Sequence, residues 1–154
     1  MTPRPSDDDY RRLLSLRTGL RRFLRWSEQQ AQAAGLTPRQ HQLLLAVRGH
    51  DDPRGPTVGD VADHLLLRHH SAVELIDRAE AAGLVTRHAD ADNQSVMRLR
   101  LTDQGMRQLE ALSELHLEEL AHLAPTMHTL WDALERDPDG GARATPHPAS
   151  PPQR

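Results

Sequence analysis

The chain has 154 residues and a formal net charge of −3, enough for one domain with an added dimerisation element. Cysteine is absent, which excludes disulfides, thiolate metal sites and thiol redox switches. All 19 basic residues are arginine, no apolar run approaches a membrane span, and the polar start MTPRPSDDDY does not read as a signal peptide, so a cytoplasmic location is expected.

Asp7 to Asp9 put acids at the positive end of a helix expected to run through Ala34, with Gly35 ending it. Its apolar residues, Tyr10, Leu13, Leu14, Leu16, Leu20, Phe23, Leu24 and Trp26, cover more than one stripe, so the helix needs more than one partner. Thr37-Pro38-Arg39-Gln40 has the form of a capping box with proline at the first helical position, and opens a helix to about Arg48. HDDPRGP then reads as a loop.

In the next helix Val58, Val61, Ala62 and Leu65 fall on one 3.6-residue stripe, and Ala72, Leu75, Ile76 and Ala79 repeat the spacing in a second. The opposite face of that second helix carries His69, His70, Ser71, Val73, Glu74, Asp77 and Arg78. Gly83 supplies a left-handed helix end, and Leu84 begins a strand. Met97, Leu99 and Leu101 alternate with Val96, Arg98 and Arg100, which gives a strand with one apolar and one largely basic face. The turn formers Asp90 to Gln94 join the two strands. Thr102 caps a helix expected from Asp103 to about Ala124, Pro125 is expected to break it, and a last helix follows over 126–135. Residues 137–154, rich in Pro, Gly and Ala, are expected to be disordered.

The predicted class is mainly α with a small β-hairpin wing: a winged helix-turn-helix with N- and C-terminal dimerisation helices. The expected divisions are 1–35, a dimerisation helix; 36–102, the winged helix; 103–136, further dimerisation helices; and 137–154, the tail. In a winged helix the second helix enters the major groove of duplex DNA and the hairpin lies along the backbone or minor groove. The segments LTPRQHQLLLAV, TVGDVADHL, DRAEAAGLVTR, DADNQ and LRLTDQG, in this order and spacing, closely resemble the MarR (multiple antibiotic resistance regulator) family of bacterial transcription factors, from about Leu36 to Trp131. The resemblance implies a homodimer joined through the first and last helices, acting as a repressor on a near-palindromic operator. It also implies a small aromatic or lipophilic effector that releases the DNA. The broad apolar surfaces of those terminal helices support the dimer independently.

The residues expected at the DNA are Arg68, His69, His70, Ser71, Glu74 and Arg78 on the recognition helix, and Arg87, Gln94 and Arg98 on the wing. Histidines can donate to guanine or phosphate, glutamate can accept from cytosine, and arginines can hold phosphate. Arg78 can equally pair with Glu74 one turn earlier. Arg98 is expected to project with Arg100 away from the core, with Arg87 across from them, while Asp90 and Asp92 orient the turn. MarR-like chains usually carry an arginine near the wing tip, where this chain has Asn93-Gln94.

Five arginines stand against seven acids between residues 57 and 101, so the module is not strongly cationic. This leaves open a competing reading: a winged helix used for protein–protein interaction, with weak or no DNA binding. His116, Glu119, His122 and His128 are too loosely spaced for a tetrahedral metal set, and no metal or cofactor is expected. Trp26, Trp131, Met106 and Met127 are read as core in preference to an effector pocket. With no glycine-rich phosphate loop, GxSxG or HExxH, no enzyme is expected.

Overall fold

The computed structural model describes residues 4–135. In chain order the elements are α1 (Asp7–Ala33), α2 (Pro38–Arg48), α3 (Val58–His64), α4 (His69–Ala81), β1 (Val85–Ala89), β2 (Met97–Leu101) and α5 (Asp103–Glu135). The tail expected to be disordered lies outside the described residues. Packing divides the chain into two compact units, one taking the chain up to Arg22 and from Glu119 onward, the other Phe23–Glu118.

In the first unit the opening of α1 is capped by Ser6, whose N–H and hydroxyl donate to Asp9 at 2.8 Å while its hydroxyl accepts from the Asp9 N–H at 3.3 Å. The aspartates therefore supply charge to the first turn, and Ser6 forms the cap. Tyr10, Leu13, Leu14, Leu20, Leu120 and Trp131 are exposed here. Pro125 does not end a helix as expected, because α5 continues through it to Glu135. Proline forfeits one bond, to the Ala121 carbonyl, and that residue is exposed, so water can satisfy the freed group.

The second unit holds the core. Leu43 and Leu44 from α2, Val61 from α3, Ile76 from α4, Leu84, Val85, Leu99, and Leu112 from α5 are almost entirely buried, each large side chain worth about 1.5–3 kcal/mol. Val61, Ile76 and Leu99 come from the stripes read in α3, α4 and β2, whereas Val58, Leu65 and Leu101 of those stripes are only partly buried. The capping box expected at Thr37 with Gln40 forms, and Thr57 forms a second one with Asp60.

Three helices of this chain end in the same motif. After α1, Gly35 N–H donates to Gln32 and Leu36 N–H to Ala31; after α4, Gly83 N–H donates to Glu80 and Leu84 N–H to Ala79. After α3, Leu66 N–H donates to Asp63 and Leu67 N–H to Ala62. This paired 5→2 and 6→1 bonding needs a left-handed residue at the corner. The corner φ is +79° at Gly35, +72° at Gly83 and +53° at Leu66.

The hairpin is antiparallel, in the register Val85↔Leu101, Thr86↔Arg100, Arg87↔Leu99, His88↔Arg98 and Ala89↔Met97. Its root is tied to the loop before α3, where Leu99 N–H donates to the Pro56 carbonyl at 2.9 Å. Gly55 permits that approach. Its φ is +92°, and a Cβ there would stand 2.1 Å from the Leu99 oxygen.

Candidate nucleic-acid interface

Helix α4 buries Ala72, Leu75, Ile76 and Ala79, so its register turns the remaining side chains outward. Arg68, His69, His70, Glu74, Asp77 and Arg78 are exposed and Ser71 is half-buried. Arg68 occupies the N-cap position with no side-chain cap bond, which leaves first-turn N–H groups open to an external anion. Arg78 and Glu74, one of the two alternatives open for Arg78, form no ion pair among the described residues. Both line an open groove of about 700 Å³, with Ser71 and with Pro38, Arg39 and Gln42 of α2.

The wing departs from expectation. Arg98 does not project with Arg100; its side chain is only 14% exposed, it pairs with Asp90 and Asp52, and it donates to the Gly55 carbonyl at 2.8 Å. The cause is local, since the β2 register places Arg98 beside both the loop before α3 and the acidic turn, where carboxylates outbid solvent. Arg87 likewise does not lie across from Arg98 or Arg100. It opposes Leu99, shares that inner face, and reaches back to Asp77 and Glu80 of α4. Burial opposes its charge, but the two carboxylates more than compensate and hold the guanidinium firmly protonated.

Arg100 remains exposed, as does Gln94 at the tip. The apolar face of β2 also stops short of the tip, because Met97 lies beyond the core and is 39% exposed. Asp90 accepts from Arg98, from the Asp92 N–H at 2.8 Å, from the Asn93 N–H at 3.2 Å and from Arg54 at 3.3 Å. Those bonds, that of Arg98 foremost, hold its carboxyl below the ordinary range. Asp92 pairs with Arg54 at 3.1 Å, so both turn aspartates are oriented by arginine.

Residues 34–94 match the model of the MarR family. That stretch, from just before α2 to the turn after β1, is similar to the MarR-family module.

Among solved structures, the MarR-family transcription regulator SP03579 is 20% identical, with 84% of this chain and 89% of that chain covered and a TM-score of 0.70. A MarR-family protein from Bacillus stearothermophilus is 23% identical over 85% of this chain and 94% of its own, with a TM-score of 0.68. The S. aureus MepR–DNA complex is 20% identical over 80% and 85%, with a TM-score of 0.60. No curated protein matches in sequence. At these identities the structural likeness shows the fold alone, a helical chain with a winged helix-turn-helix.

Several residues around the winged helix carry no sequence signal. Arg54, read only as part of a loop, bridges Asp52, Asp90 and Asp92; the turn pattern DDPRG gave its position but not its reach. Leu66 is 92% exposed at a left-handed corner, and no glycine marks it. His50 lies between His64, at 3.1 Å, and Asp60, at 3.6 Å.

His116 is not a surface histidine. Its Nδ1–H donates to the Leu112 carbonyl at 2.7 Å, its Nε2 lies 2.6 Å from Ser27 Oγ, and its ring sits 4.9 Å from Trp26 and 4.8 Å from His41. Burial, and then the neighbouring His116, lower the His41 pKa. Trp26 also stacks on Phe23 at 5.9 Å, but the core reading fails at Trp131, which is 53% exposed, and Trp26, Met106 and Met127 are only half-buried. Among the described residues no group of three or more His, Asp or Glu is arranged for a metal ion. No helix among them is long and apolar enough to cross a membrane.

Proposed function

We propose that the protein is a transcription regulator that binds duplex DNA as a homodimer, inserting α4 in the major groove and laying the hairpin against the backbone. The observation that carries this reading is the outward face of α4: an uncapped N-terminus flanked by Arg68, His69 and His70, with Arg78 unpaired one face along. Arg68 and Arg78 are assigned to phosphate, His69, His70, Ser71 and Glu74 to base edges or phosphate, and Gln94 to the groove beneath the wing tip. Arg87 and Arg98 are assigned a different part from the one their sequence positions suggest. They pin the wing to α4 and to the loop before α3, and so set where Gln94 and Arg100 fall.

The exposed apolar residues of α1 and α5 support the homodimer. Repression, and release by a small aromatic or lipophilic effector, extend the proposal along the family resemblance. The loss of Arg87 and Arg98 to internal ion pairs favours the second reading, a protein-binding winged helix, because it leaves few free cations on the wing. Selection of bound fragments from a random duplex library, with the full-length protein at 100 mM salt, separates the two. Enrichment of a near-palindrome with half-sites about one helical turn apart is expected. Recovery of unenriched sequence would overturn the DNA reading.

A further inference from the structure

Leu66 is anomalous in three ways at once. It stands at a left-handed corner, φ +53°, that the chain builds with glycine at the two equivalent helix ends, Gly35 and Gly83. It is 92% exposed, so no packing within the protein offsets the backbone cost that a Cβ brings there. It also lies two residues before Arg68, the N-cap of α4, beside exposed His69 and His70. A leucine here costs the folded state something and gives it nothing. Local rules broken without an internal gain cluster where a chain meets a ligand.

We infer that Leu66 is an apolar specificity contact with operator DNA, touching the 5-methyl group of a thymine at the edge of each half-site. The inference rests on the proposed DNA reading. It adds a partner chemistry that the polar face of α4 does not supply. Thymine's methyl is the one apolar group that the base edges offer in the major groove, and aliphatic side chains read it. The corner places Leu66 at the lip of the helix that would enter that groove. Glycine at the same corner would form the turn more cheaply and read nothing.

The test is a coupling experiment on full-length protein with the operator selected above. Each thymine of a half-site is replaced in turn by deoxyuridine, which removes only the methyl, and affinity is measured for the parent, Leu66→Gly and Leu66→Asn; both replacements tolerate the left-handed corner. One position is expected at which uracil weakens the parent about fourfold per half-site, as for one methyl group returned to water, and weakens neither variant. Both variants should also bind the thymine operator about fourfold more weakly per half-site while melting at a temperature no lower than the parent.

Variants that bind the operator as tightly as the parent, or that lose affinity equally on thymine and uracil duplexes, overturn the inference and leave the DNA reading standing. A lower melting temperature in Leu66→Gly assigns Leu66 to packing and also overturns it. A parent protein that selects no operator removes both.

Discussion

Asp90 is the hinge of the wing at the level of single residues. Its carboxylate accepts from two guanidinium groups and two backbone N–H groups, and its side chain is 4% exposed. Arg98 first, then the Asp92 N–H, lower its pKa below the ordinary 3.8; Asp52 shifts the same way, chiefly through Arg54. A folded pKa below the unfolded one means that the unfolded chain binds more protons between the two, so stability rises with pH across that window. The contribution is complete above 3.8 and is lost as pH falls toward the folded value. Asp90→Asn removes the charge at every pH. The variant should therefore be less stable than the parent at neutral pH, and the gap should close as acid titrates the parent below pH 4. Urea melts at intervals from pH 7 to pH 3 measure it; a gap that stays constant with pH would show that the carboxylate's charge contributes nothing.

At the scale of elements, the start of α4 is left incomplete in a chain that completes its other helix starts. Thr37 and Thr57 close capping boxes on α2 and α3, whereas Arg68 stands at the α4 N-cap in extended geometry, φ −70° and ψ 151°, with no side-chain acceptor. Serine in that geometry accepts from the N–H two or three residues on, so Arg68→Ser should raise stability by about 1 kcal/mol. Under the proposed function it should also weaken DNA binding and lower the salt slope by about one phosphate contact. Chemical denaturation and salt-dependent titration read the two effects. A stability gain with unchanged affinity and slope would take Arg68 off the phosphate.

The same elements show what was legible in the sequence. The stripes of α3 and α4, the cap at Thr37 and the glycine corners are local, with periods and residue types that state their geometry. The wing register and the fates of Arg87 and Arg98 are not local, because they depend on which carboxylates the folded loop at Asp52 and the helix at Asp77 and Glu80 bring near. Pro125 misleads for a related reason. A missing N–H is a local fact, but whether a helix ends there depends on whether the freed carbonyl can find water.

At the scale of the whole molecule, the proposed operator-binding dimer requires exposed apolar surface. Within the first unit Leu14 is 64% exposed, Tyr10 59%, Leu13 46% and Leu20 46%, and the spacings of three (Tyr10 to Leu13), four (Tyr10 to Leu14) and seven (Leu13 to Leu20) keep them near one side of α1. Isolated leucines on a surface need no explanation, but a helix-long row is the pattern of a contact. Under the proposal a second copy covers it, and the two-fold axis then fixes two α4 helices on successive turns of DNA. Leu14→Glu combined with Leu20→Glu places charge in that contact, while glutamate remains a good helix former. The double variant should scatter light as a monomer at micromolar concentration where the parent is a dimer, with helical circular dichroism retained. On the selected operator the log–log salt slope should fall to roughly half, because a monomer displaces counterions from one half-site instead of two. A parent that is itself monomeric at that concentration would refute the two-site model, and a variant that stays dimeric would move the interface off this face of α1. A monomeric variant that kept the full slope would mean that one copy alone makes all the phosphate contacts.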